Sequence, residues 1–246
     1  MLISLTLICS LLLIEVTESA KQNLKENSIL ELRIDSLKVE NASVEEALKL
    51  LRGKDSSQIL IGFEKITDAR LGKNISISFV SENESVRDIL RRIFSADTRY
   101  TYSLVSNSLI EVFPVGSKND MSNLLNMRVK KFSYEKLAEP SYIITDIDRI
   151  VPELSEFLER NRQEYSKRSG IEYGFGGSIP RGNQEREISL ELRDVTVREI
   201  LNAAALLSLQ LFREHGFLIP VGWKYEFVVD PTAPTGLGGY PKWDIF

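Results

Sequence analysis

Paired carboxylates at a suitable separation can carry out glycoside hydrolysis, one as acid and the other as nucleophile or base. Glu45-Glu46 and Asp146/Asp148 are the clearest such pairs in this chain of 246 residues. Both fall at helix starts, where acidic side chains complement the helix dipole, so capping accounts for them without a substrate. His215 is the sole histidine. That rules out any two-histidine metal motif and leaves one candidate base for a Ser-His-acid triad, in what reads as a turn beside Gly216. Cys9 is the sole cysteine and lies in an apolar leader. A processed chain would therefore have no disulfide, thiolate zinc site or cysteine nucleophile. No Gly-x-Ser-x-Gly or phosphate-loop string occurs. The expectation is a protein that is not an enzyme, with no cofactor and no metal.

Binding has one candidate stretch. Within 169–182, four glycines from 170 to 177 interleave Tyr173 and Phe175, and Gly182 follows. Such a loop can present two aromatics to a partner, since aromatics supply large contact areas. The competing reading is a long connection whose aromatics anchor in the core. A net charge of −4 gives no global attraction to nucleic acid or to an anionic membrane. Arg91-Arg92 and Arg128–Lys131 are short basic clusters mixed with apolar residues, and they read as solvated faces.

The elements that would position these residues announce themselves by repetition. SVEEAL at Ser43–Leu48, SVRDIL at Ser85–Leu90 and TVREIL at Thr196–Leu201 each open with a hydroxyl and carry an acid three residues later. This is the capping-box spacing, with Asp88 a shorter substitute for glutamate. Behind each cap the apolar residues recur at helical spacing: Val44, Ala47, Leu48 and Leu51; Val86, Ile89, Leu90 and Ile93; Val197, Ile200, Leu201 and Ala204. Before the second and third hexamers, Ile75–Phe79 and Ile188–Leu192 alternate with period two, as half-buried strands do. After them come strand–turn–strand patterns: 99–104 with 109–113, and 209–212 with 217–221 around His215-Gly216. The first hexamer has its own prelude, with strands at 30–34 and 37–39 before it and 59–63 after. A matching prelude for the third comprises strand 127–132, a helical region at 146–160 and a short strand at 171–175.

Composition and ends complete the outline. With 43% hydrophobic and 27% charged residues the chain has the make-up of a globular protein. Leu2–Ile14 is an uncharged apolar run, too short to span a bilayer and suited to the h-region of a signal peptide, here residues 1–20, although no basic residue precedes it. Asn41-Ala-Ser, Asn74-Ile-Ser and Asn83-Glu-Ser have the N-glycosylation pattern, and the Asn41 and Asn83 sites overlap helix caps. Pro231–Phe246 is rich in Pro and Gly and reads as a flexible C-terminal tail.

The string ISLELRDVTVREILNAAALLSLQLFREHGFLIPV resembles the short N-terminal domain of secretins and TonB-dependent receptors, the secretin N0 domain. ISISFVSENESVRDILRRIFSADTRYTYSLVSNSLIEVFPV resembles it too, with two extra residues before its cap. The resemblance implies an α+β fold: two small β-α-β–β-α-β-β domains in tandem, at 28–116 and 125–230, joined by a linker at 117–124. It also implies protein–protein contact in the cell envelope. The family places its module ahead of a channel or receptor barrel, and no such region follows Phe246 in this sequence. The functional expectation is an exported, periplasmic or secreted adaptor of a secretin, pilus or TonB-linked assembly, with a protein partner, possible homo-oligomers and no stable membrane span once the leader is removed. The alternative is an exported hydrolase or carbohydrate-binding protein using a cleft between the halves.

Overall fold

The capped hexamers begin helices, and their cap chemistry fixes where. A computed structural model describes residues 28–66, 75–169, 186–216, 219–229 and 239–246. Its helices are α1 (Val44–Arg52), α2 (Val86–Ala96), α3 (Pro140–Thr145), α4 (Ile147–Ile150), α5 (Pro152–Ser169) and α6 (Val197–His215). Ser43 and Thr196 each accept from the amide three residues on, and Glu46 and Glu199 accept in return from the Ser43 and Thr196 amides. Asp88 is one methylene shorter, and its carboxylate accepts from the Ser85 hydroxyl at 2.7 Å.

The strands are β1 (Arg33–Ala42), β2 (Leu60–Lys65), β3 (Ile77–Ser85), β4 (Tyr100–Leu104), β5 (Leu109–Pro114), β6 (Arg128–Ala138), β7 (Arg186–Thr196), β8 (Trp223–Val229) and β9 (Gly239–Ile245). β1 and β3 form one antiparallel ribbon, and β6 and β7 another. The other five make a single sheet in the order β4-β5-β2-β8-β9. β2 runs parallel to both β5 and β8, and the outer strands are antiparallel to their neighbours.

This sheet is the middle of five layers. Ile61, Phe63, Ile110 and Val112 pack into one core with α1, α2 and the first ribbon. Leu60, Leu109, Trp223 and Tyr225 pack into the other core with α3, α6 and the second ribbon. Alternate residues of a strand point to opposite faces, so the continuous apolar run Ile59–Phe63 suits a strand buried on both sides. The chain is therefore α+β, but the two halves share one sheet instead of closing separately.

The duplication extends beyond the hexamers. Ile29–Glu31 and Leu124–Asn126 are equivalent 3-10 turns, ended by Leu32 and Met127, each at φ −58° and ψ 129°. The carbonyls of Leu32 and Met127 accept from Val86 and Val197, the first residues of α2 and α6. Arg33 and Arg128 donate to the carbonyls of Asn83 and Asp194. Asn83, Asp194 and Asn41 have φ of 50°, 52° and 49°, each two residues before a cap. Asn and Asp tolerate this left-handed conformation better than other side chains. The Asn41 and Asn83 sequons thus each join a residue suited to the kink with a cap hydroxyl. Pairing of Arg33 with Ser85 and of Arg128 with Thr196 puts the repeats in step from the cap out to Phe79 and Leu190, beyond which the first ribbon has a register shift between Val39 and Ala42.

Several expectations need correction. Residues 209–212 are helical: α6 runs to His215, and Gly216 at φ 68° caps it, its N–H donating to Phe212. A glycine after an apolar run serves a helix end as readily as a hairpin turn. Burial of Ala204, Ala205, Ser208 and Leu209 against the shared core extends the helix. Residues 219–222 form no strand and β8 begins at Trp223, while Phe217 and Leu218 lie outside the described residues. The end of the expected tail is β9, with Trp243 and Phe246 buried. The leader, the strand expected at 171–175 and residues 170–182 of the Gly-rich loop lie outside the described residues.

Close backbone approach makes the union of halves possible. A Cβ at Gly222 would lie 2.0 Å from the Ile61 carbonyl oxygen, and one at Gly62 would lie 2.5 Å from the Trp223 ring. Gly222→Ala should therefore lower the unfolding free energy in urea by about 2–3 kcal/mol, the usual effect of overpacking.

Candidate functional site

The residues with catalytic potential are occupied structurally or stand apart. Glu46 is a cap, and Glu45 is held by lysines. Asp148 lies in the first turn of α4, where burial raises its carboxyl above the ordinary range, and Asp146 precedes that turn. His215 ends α6 beside Glu214, with 3.8 Å between an imidazole nitrogen and the carboxylate. Among the described residues no cluster of three or more His, Cys, Asp or Glu is arranged to hold a metal. Tyr173 and Phe175 lie outside the described residues.

The strongest buried chemistry is a seam between the halves that sequence reasoning missed. Arg198, 5% exposed in the first turn of α6, bonds Glu64 of β2 at 2.7 Å and Glu111 of β5 at 2.9 Å. Lys118 pairs with the second oxygen of Glu111 at 2.6 Å and lies 4.3 Å from the centre of the Phe113 ring. Ser117 and Asn123, within the expected linker, donate to the two oxygens of Glu64 at 2.9 and 2.7 Å. The linker is therefore tied into the seam. Burial, with the Glu64 carboxylate nearby, pushes the Tyr225 hydroxyl upward. No signal in sequence marks it: Arg198 occupies the hexamer position of Arg87, a residue at the surface paired with Glu31.

A second ionic cluster joins the halves on the opposite face of the sheet. Glu45 of α1 accepts from Lys224 of β8 at 2.7 Å and from Lys49 at 2.8 Å. Lys65 of β2 bridges to Glu226 at 3.1 Å. Burial opposes ionisation of Glu45, but the two lysines outweigh it and hold its pKa at about 2.

Both clusters are satisfied internally, and an open groove lies elsewhere. A groove of about 430 Å³ runs between β3 and α2, lined by Ile77, Ser78, Phe79, Arg91, Arg92, Ser95 and Ala96. β3 pairs with β1 on one side, and among the described residues no strand pairs with its other side. An edge strand beside a helix offers unpaired backbone groups to an incoming chain. The alternation of β3 sends Ile77 and Phe79 toward the helix, and the helical spacing of α2 brings Arg91, Arg92 and Ser95 to the same opening. Arg92 also approaches the Phe79 ring, its guanidinium carbon 5.9 Å from the centroid. Arg91-Arg92, read as a solvated face, therefore lines the groove.

Comparisons with protein-family models, curated proteins and solved structures found no match. The site is accordingly read from its own geometry.

The seam and the second cluster each give an expected outcome. Arg198→Ala should lower the unfolding free energy by about 3–5 kcal/mol by leaving buried Glu64 without a cation and Glu111 with Lys118 alone. Arg87→Ala, at the matching surface position, should change it by less than about 1 kcal/mol in the same urea titration. Glu45 binds its proton less readily folded than unfolded. Its contribution is present above the ordinary value of 4.5 and is lost as pH falls toward about 2. Glu45→Gln should cost about 2 kcal/mol at neutral pH, the worth of hydrogen bonds to a charged group. Thermal melts from pH 7 to pH 2 should then show the variant converging on the parent in acid.

Proposed function

We propose that this chain is an exported, non-enzymatic binding protein that holds a segment of a protein partner along the outer edge of β3. It would act as an adaptor in a bacterial envelope assembly of the secretin, pilus or TonB-linked kind. The observation carrying this reading is the groove between β3 and α2, where backbone hydrogen-bonding capacity, an apolar floor and charge coincide on one open surface. The apolar leader supports a periplasmic or secreted location. The β-α-β–β-α-β-β order from Arg33 to Pro114, with a ribbon beside its helices, supports likeness of the first half to a secretin N0 module. Among the described residues no helix is long and apolar enough to cross a membrane.

A photo-cross-linking side chain at Ser95, in the groove, should capture one discrete protein partner from the envelope fraction of the native host. The same group at Lys38, exposed on β1, should not. Recovery of the protein in the cytoplasm, or equal labelling from both positions, would count against the proposal.

A further inference from the structure

Resting on that binding reading, we infer that the groove takes an extended polypeptide segment carrying a carboxylate side chain, which Arg91 and Arg92 receive while the segment's backbone adds to β3. Dimensions, charge and internal comparison carry this assignment.

The strand side of the groove comprises Ile77, Ser78 and Phe79, and the helix side runs from Arg91 to Ala96. These correspond to about 7 Å of strand facing about 8 Å of helix, enough for about three residues of an extended chain. Side chains of a strand alternate, so an added strand can turn every second side chain to the helix side, one against Ile77, Phe79 and Ala96 and the next but one toward the arginines, with the residue between them facing away. The lining contains two guanidinium groups and no carboxylate. Arg91 is bonded to Asp88 and Arg92 to Glu84, through one guanidinium nitrogen each. A guanidinium has five N–H groups, so each retains donors for an incoming carboxylate. The Arg91–Asp88 pair is exposed on both sides, at 67% and 50%, and such pairs exchange readily with solvent and ligand.

The duplication supplies a comparison within the molecule. Counted from the caps, Phe79, Arg91 and Arg92 correspond to Leu190, Asn202 and Ala203. Asn202 is buried and accepts from the Trp223 indole at 2.8 Å, so that position in the second copy serves the shared core. The guanidinium pair is particular to the copy whose helix face remains open. Pairing of two copies of this chain edge to edge at β3 would bring four guanidiniums together, which disfavours self-association as the use of this edge.

The test is a selection with the full chain, immobilised, against two degenerate libraries of capped heptapeptides. One has a fixed central glutamate and the other a fixed central glutamine. The glutamate library should be retained preferentially. A resynthesised member should bind at least fivefold more tightly than its glutamine counterpart, and Arg91→Gln with Arg92→Gln should abolish that difference without changing the melting temperature. N-methylation of alternate peptide amides should remove binding, and amide resonances from Ile77 to Phe79 and at Ser95 should shift on titration. Equal retention of the two libraries, with shifts in the groove, would overturn the carboxylate assignment and leave the binding reading standing. Retention of neither library, together with a blank Ser95 cross-link, would overturn both. Concentration-dependent self-association lost on substituting these arginines would also overturn the assignment.

Discussion

Two carboxylates from one half of this chain are buried against a guanidinium from the other, and the rest of the architecture depends on that encounter. Glu64 and Glu111 lie on the face of the sheet that α6 covers, and Arg198 projects from the first turn of α6 to meet both. Burying either carboxylate alone would be prohibitive, and the guanidinium alone no less so. With Lys118 on Glu111 the group has two cations and two anions. The charges are balanced only when the halves are docked. Docking places β8 beside β2, lays the Trp223 indole over Gly62 and completes the five-stranded sheet. The ion group does not have to exceed a hydrophobic alternative in strength to act this way. It needs only to make partial docking unfavourable, and so it specifies one arrangement.

The two copies of the repeated unit share their local plan and differ in what surrounds them. Each has a 3-10 turn, a ribbon strand beginning with arginine, a left-handed residue and a hydroxyl-capped helix. The helix of the second copy is committed to the interior: Arg198 serves the seam, Asn202 serves Trp223, and the later turns cover the shared core. In the first copy Arg87 stays at the surface with Glu31, and Arg91 and Arg92 face a groove. Duplication has thus produced one copy that holds the molecule together and another with a surface to offer.

Local features were legible where local physics decides. Ser43, Ser85 and Thr196 start helices because a hydroxyl can reach the amide three residues on, whatever surrounds it. Ile59–Phe63 reads as a strand because an apolar run of that length suits a sheet buried on both sides. The stretch from Leu209 to Val221 misled because Leu209–Phe212 fits either a strand or a helix end, and only contact with the second core selects the helix. The C-terminal segment has no period of its own, and its order comes from pairing with β8 and from Phe246 packing on Phe63. Arg91-Arg92 resembled any solvated pair, because nothing in the helix alone places it beside the open edge of β3.

The sequence by itself determined the caps, the α+β character and the existence of a repeat. These depend on contacts between residues a few positions apart, and such contacts are written in order along the chain. Only the tertiary structure decided that the halves share a sheet, that Arg198 is buried while Arg87 lies at the surface, and that Arg91 and Arg92 line a groove. Those outcomes depend on charges and surfaces brought together from positions as distant as Glu64 and Arg198. The repeated Val-Arg of the second and third hexamers reads identically in the two copies, and the environment that distinguishes them exists only after folding.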